Sequence, residues 1–249
     1  MDVLSRFSLL KACLVMWVLG VTGCASTQSP MPMLSYTGPQ SDGKTLVVAL
    51  RGIGGSVKSF EKYHFISDLH RHYPSFDVMI PDAHFGYYKE KNLRDRLEED
   101  VFKPARAQGY KKIWLVGISL GGLGSLINFQ CCESEFAGAV LIAPYSGEAE
   151  LHQDIETYLA GSGPSPWESA RWQEEDSKDF LALWAWILDN GALFSSGRIW
   201  LGYGDKDRLS GHELLASRLP EKNVIRVKGG HKAKVFSSIW NDILEQKPF

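Results

Sequence analysis

The sequence predicts an α/β fold: a mostly parallel sheet of about six strands with helices on both faces and a small helical cap. Three observations predict it. Short, wholly apolar runs recur from residue 44 onward, longer stretches with helical spacing of apolar residues separate them, and one separation, between residues 143 and 198, is too long for a plain crossover. Strands without polar alternation are buried on both faces, which requires helices above and below the sheet.

The strands are expected at 45–50 (TLVVAL), 76–80 (FDVMI), 112–118 (KIWLVGI), 138–143 (GAVLIA), 198–203 (RIWLGY) and 223–227 (NVIRV). Each intervening stretch is long enough for a right-handed crossover. Residues 57–72 place Phe60, Tyr63, Ile66 and Leu69 about one helical turn apart. Residues 92–108 start at Asn92, a cap candidate, and contain Pro104, which must kink or end that helix. Residues 120–133 carry Leu123, Leu126, Ile127 and Phe129, and helices at 211–218 and 232–246 complete the set. The long gap contains Trp167, Trp172, Trp184 and Trp186, and DSKDFLALWAWILDNG within it reads as one helix stopped at Gly191. Residues 147–196 are therefore expected to form an inserted helical cap.

At 249 residues with 44% hydrophobic content, the chain can bury one sizeable core. Its formal charge of −2, from 27 basic and 29 acidic residues, supplies no basic stripe for a phosphate backbone, so nucleic acid is not expected as a partner. Cys131 and Cys132 are adjacent, and a bond between neighbours is strained. They read as small core residues on a helix, with a redox pair as the alternative. His70-Arg71-His72 lacks the nearby carboxylates or cysteines of a metal set and reads as a solvated helix end.

The first residues form a separate object. Arg6 and Lys11 precede an apolar run from Ala12 to Val21, too short to span a bilayer comfortably, with the polarity of a secretory signal. Val21-Thr22-Gly23-Cys24 resembles the lipobox of bacterial lipoproteins. That resemblance implies a signal peptide over 1–23, acyl chains on Cys24 and membrane anchoring. With Ala25 in place of a retention aspartate, it implies an outer-membrane location in a bacterial cell envelope, facing the periplasm. Residues 24–43, rich in Ser, Thr, Gln, Pro and Gly, read as a lipidated N-terminus and flexible tether, and 44–249 as the folded domain.

One local pattern carries chemistry. At the end of the third predicted strand comes Gly117-Ile118-Ser119-Leu120-Gly121, followed at once by a helix. A serine in so tight a strand-to-helix turn is exposed at the sheet edge, and small residues on either side let the turn close. The helix starting at Leu120 directs free N–H groups and its positive end toward that point.

The pattern resembles the nucleophile elbow of the α/β-hydrolase superfamily, and the likeness extends over residues 44–245. A serine hydroxyl needs a base and a group to orient that base, which the superfamily supplies in the chain order Ser, acid, His, each beyond a later strand. Here GDKDRL follows RIWLGY and KGGHKAK follows NVIRV. The resemblance implies Ser119 as nucleophile, His231 as base and Asp207 as orienting acid, with Asp205 a turn former bonded to its own backbone. It implies an oxyanion hole from the backbone N–H groups of Leu120 and Ile53. Arg51 stands where many members carry His; it either packs beneath its loop or favours an anionic substrate. The implied reaction is hydrolysis of a carboxylic ester or thioester through an acyl-enzyme, on a small-molecule substrate, needing no metal and no organic cofactor. Acyl transfer with the same residues, or a binding module of the envelope, are the alternatives. Substrate choice is expected to lie in the cap and in residues 82–88, where Phe85, Tyr87 and Tyr88 either line a pocket or form a small core.

Overall fold

A computed structural model describes residues 26–249. The expectations for the signal peptide, for Cys24 and for Ala25 fall outside the described residues.

In chain order the elements are β1 (Met33–Tyr36), β2 (Thr45–Leu50), α1 (Ser59–Lys62), α2 (Phe65–His72), β3 (Asp77–Pro81), α3 (Phe85–Lys89), α4 (Leu93–Leu97), α5 (Lys103–Gln108), β4 (Lys112–Ile118), α6 (Leu120–Cys132), β5 (Gly138–Ile142), α7 (Ala149–Leu159), α8 (Glu175–Asp189), α9 (Gly191–Phe194), β6 (Ile199–Gly204), α10 (His212–Ala216), β7 (Val224–Val227) and α11 (Ala233–Glu245). The seven strands form one sheet in the order β1-β3-β2-β4-β5-β6-β7, parallel except for β1 against β3.

The apolar strands are explained by two cores. In β2, Leu46, Val48 and Leu50 face one and Val47 and Ala49 the other; in β4, Ile113 and Leu115 oppose Trp114 and Val116. Successive side chains of a strand point to opposite faces, so every position of a central strand must be apolar when both faces are covered. The first core takes in α4, α6 and the helices between β5 and β6; the second takes in α2 and α11, with Trp240 stacked on Phe65 at 5.5 Å.

The seventh strand corrects the sequence reading. Residues 33–36 lie in the expected tether, yet they pair antiparallel with the outer edge of β3, and Met31 beside them is 2% exposed. The Asp77 carboxylate accepts from Gly38 N–H at 2.8 Å, Ser41 Oγ at 2.7 Å and Tyr110 Oη at 2.7 Å, fastening the segment to the domain. An edge strand left bare is a template for unwanted pairing, and β1 covers it.

Other differences are local. Residues 57–72 form two helices because His64, at φ 65°, breaks them. Within 92–108, a π-helical turn at Glu98–Phe102 separates α4 from α5, with Lys103 N–H donating to Glu98 O. Pro104 has no N–H for the ladder, and the wider turn carries the chain past it. α8 ends at Asp189, just before Gly191 as expected, with Asn190 Nδ2 donating to Trp186 O at 2.8 Å, and Gly191 opens the short α9. Cys131 and Cys132 lie at the outer end of α6, Cys131 exposed and Cys132 half-buried against the first core, joined as a disulfide.

Candidate active site

Ser119 sits between β4 and α6 with φ 55° and ψ −115°, a region that L-residues occupy only when neighbours enforce it. Its N–H donates to Ile142 O at 2.9 Å, and its C=O accepts from Gly122 N–H at 2.9 Å and Tyr145 N–H at 3.0 Å. The glycines are a steric requirement. A Cβ on Gly117 would collide with Gly121 O, and one on Gly121 with Leu50 O. Behind the turn, the buried Tyr88 hydroxyl donates to Leu120 O at 3.0 Å, and burial raises its pKa far above the ordinary phenol value.

The loop after β6 and the loop after β7 converge on this serine. His231 Nε2 lies 2.9 Å from Ser119 Oγ, and His231 Nδ1 lies 3.0 and 2.9 Å from the two Asp207 oxygens. A carboxylate only accepts, so Nδ1 carries the hydrogen; neutral His231 then presents a bare Nε2, and the serine hydroxyl donates to it. Asp207 Oδ1 also accepts from Leu209 N–H at 3.0 Å, and its side chain is 1% exposed. Burial works to raise the Asp207 pKa, but the hydrogen bonds from His231 and Leu209 outweigh it, and the carboxyl is held below its usual value. The structure thus brings Ser119, Asp207 and His231 together.

Asp205 is not bonded to its own turn. Its Oδ1 accepts from Gly229 N–H at 2.8 Å, and Lys206 N–H donates to Gly229 O at 2.8 Å, so the acid loop and the histidine loop are laced together. The Phe236 ring stands edge-on to His231 at 4.8 Å and fixes the imidazole plane from α11. The sequence offered no signal for either contact.

No protein-family model and no curated protein matches the sequence. Solved structures match in shape. An S-formylglutathione hydrolase (FrmB) from Staphylococcus aureus aligns with TM-score 0.55 at 15% identity, over 86% of this chain and 84% of its own. A ferulic acid esterase aligns with TM-score 0.57 at 15% identity over 86% of each chain, and a monoacylglycerol lipase of Paleococcus ferrophilus with TM-score 0.54 at 15% identity over 87% of this chain and 99% of its own. The chain has the α/β-hydrolase fold.

Within this α/β-hydrolase fold a cavity of about 310 Å³ opens on Ser119 and His231. Its walls come from the 51–55 loop, from Phe60, Tyr63 and Phe65 around α1 and α2, and from Ala233 and Phe236 on α11. This corrects the expectation for the substrate pocket: neither residues 82–88 nor residues 147–196 contribute to the lining. Tyr87 is fully buried and exchanges hydrogen bonds with the backbone of Gln28, while Phe85 faces solvent. The tryptophans between β5 and β6 are occupied in holding their own segment: Trp184 Nε1 donates to Ser146 O at 2.9 Å, Trp172 Nε1 to Asp154 at 2.9 Å and Trp167 Nε1 to Leu181 O at 3.1 Å.

Arg51 takes the structural option. Its Nε binds Asp82 Oδ1 at 2.7 Å and its Nη1 donates to Gly55 O at 2.8 Å, stiffening the 51–55 loop. A Cβ at Gly52 would lie 3.9 Å from Ser119 Oγ, so the loop backbone passes beside the hydroxyl. Among the described residues neither the Leu120 nor the Ile53 N–H has a partner.

Two buried histidines support the acid loop from below. His152 of α7 accepts from Ser210 Oγ at Nδ1, 2.7 Å, and donates from Nε2 to Ser146 O at 3.2 Å. His212 donates from Nε2 to Pro144 O at 3.2 Å and stacks on Tyr203. Burial lowers the pKa of both.

Proposed function

We propose that the protein is a serine hydrolase that cleaves carboxylic esters or thioesters. The observation that carries the reading is the unbroken chain from Ser119 Oγ through both nitrogens of His231 to Asp207, with 2.9 Å at each end. The structural neighbours named as esterase, hydrolase and lipase support the same class.

In this reading Ser119 Oγ attacks the substrate carbonyl carbon while its proton passes to His231 Nε2. The carbonyl π pair moves to oxygen, and the resulting oxyanion is met by the N–H groups of Leu120 and Ile53, at the start of α6 and in the stiffened loop. Removing one such donor ordinarily costs about 2.7–4 kcal/mol of barrier. Collapse expels the alcohol or thiol, which takes the proton from His231. A water then gives its proton to His231 and attacks the acyl-serine, and the acid leaves as Ser119 regains its hydrogen. Asp207 holds the tautomer and faces the imidazolium, remaining ionised throughout.

We also propose that Cys24 is acylated and holds the enzyme at the envelope membrane, facing the periplasm. The lipobox-like segment supports this, and Cys24→Ser should release the protein into the soluble fraction. For the activity, steady-state hydrolysis of p-nitrophenyl acetate is the test. Ser119→Ala and His231→Ala should each lower kcat by a factor on the order of 10⁴ or more. Undiminished turnover in either folded variant overturns the assignment.

A further inference from the structure

The cavity beside Ser119 has a one-sided electrostatic lining. Its walls include two guanidinium groups, Arg51 and Arg208, and among the described residues no aspartate or glutamate. Arg51 is neutralised by Asp82 at 2.7 Å. Arg208 is exposed and has no hydrogen-bond or ion-pair partner among the described residues. It follows Asp207 directly, so the bond that holds Asp207 to His231 also fixes the backbone from which Arg208 extends.

The segments next to Arg208 and His231 carry charge of the same sign. The loops carrying Asp207 and His231 also carry Lys206 and Lys232, with Lys234 in the first turn of α11, and none of the three forms an ion pair among the described residues. Two acids share those loops, Asp205, which accepts from Gly229 N–H, and Asp207, which faces His231, and the cations outnumber them. In a chain of net charge −2, these two neighbouring segments carry an excess of cations, and the one on the cavity wall is Arg208, where low-dielectric walls focus its field. The remaining walls, Phe60, Tyr63, Phe65, Ile118 and Phe236, accept a short acyl chain or one aromatic ring.

We propose that the site selects esters that bear an anionic group, carboxylate or phosphate, and that Arg208 is the specificity-determining residue that receives it. The proposal rests on reading Ser119 as the nucleophile. The anion meets a cation that has no competing partner, while a neutral ester leaves that cation solvated and gains nothing from it.

The test compares 4-acetoxybenzoate with its neutral isostere 4-acetoxybenzamide, each normalised to its hydroxide-catalysed rate, with 4-acetoxyphenyl phosphate as a third substrate that separates carboxylate from phosphate preference. Wild-type kcat/KM should favour an anionic ester over the neutral one by roughly three- to tenfold, carried by KM, because a solvent-exposed pair contributes modestly. The preference should shrink as salt rises from about 20 to 500 mM. Arg208→Gln should bring the ratio close to one, Arg208→Lys should keep part of it, and Arg208→Glu should invert it. An unchanged ratio in Arg208→Gln, or a wild-type preference for the neutral ester, overturns the proposal. Equilibrium binding of the same esters to Ser119→Ala provides a readout without turnover. Tighter binding of the anionic ester there, abolished by adding Arg208→Gln, supports the role of Arg208 even where turnover fails, and equal binding refutes it. Failure of turnover alone counts against Ser119 as nucleophile, so the two failures are distinguishable.

Discussion

The carboxylate of Asp205 and the N–H of Gly229 are bonded at 2.8 Å, and with the backbone bond from Lys206 N–H to Gly229 O this contact joins the loop that presents Asp207 to the loop that presents His231. Two side chains separated by 24 residues, each at the end of a different strand, keep their 2.9 Å spacing because the loops beneath them are fastened. Asp205→Ala should therefore lower kcat roughly tenfold while leaving the fold intact, at about 1 kcal/mol of stability. Asp205→Asn, which keeps an acceptor oxygen, should recover part of kcat. Steady-state kinetics with urea denaturation checks both, and kcat unchanged in Asp205→Ala would show that the loops need no such tie.

The turn at Ser119 was legible because its requirements are local. A strand, two glycines at fixed offsets and a helix start all lie within one window, and the acid and histidine loops follow strands that are themselves readable as apolar runs. β1 was not legible for the opposite reason. Met33–Tyr36 is four residues with no strong pattern of their own, and its place depends on the bare edge of β3, which sequence proximity does not reveal. The pocket is hidden from the sequence on the same grounds. The tryptophans between β5 and β6 resemble a substrate lining in sequence, but the indole N–H groups of Trp167, Trp172 and Trp184 are satisfied within that segment, and Ser119 instead faces aromatics from residues 60–65 and from Phe236. Asp205 looks like a local turn former in sequence because its partner lies in a distant loop.

Gly121→Ala tests the steric account of the turn. The added Cβ would meet the backbone of Leu50 and Arg51, which cannot swing aside as a side chain can. The expected result is a loss of several kcal/mol in urea denaturation, about 3 or more, with activity falling in step. A variant of wild-type stability would mean that the backbone at residues 50–51 yields freely.

Acid should destabilise the protein before it protonates ordinary carboxylates. His152 and His212 are buried and their pKa values are depressed below 6.5, so the unfolded chain binds protons that the folded chain does not. Their contribution to stability is present above pH 6.5 and is lost as pH falls through the depressed folded values. Asp207, also depressed, adds a second loss below its ordinary 3.8. The urea midpoint should thus be lower at pH 5.5 than at pH 8. His152→Gln should reduce that difference while lowering stability at pH 8, because Ser210 loses its imidazole partner. Equal midpoints at the two pH values in the wild type would contradict the assignment.

The central claim is that Ser119 is activated by His231, and covalent labelling measures it most directly. The account predicts that a fluorophosphonate probe modifies the peptide containing Ser119 in the wild type, that Ser119→Ala abolishes this modification, and that His231→Ala slows it by a factor on the order of 10³ or more. A folded wild-type protein that stays unlabelled, or that is modified at the same rate without His231, would contradict it.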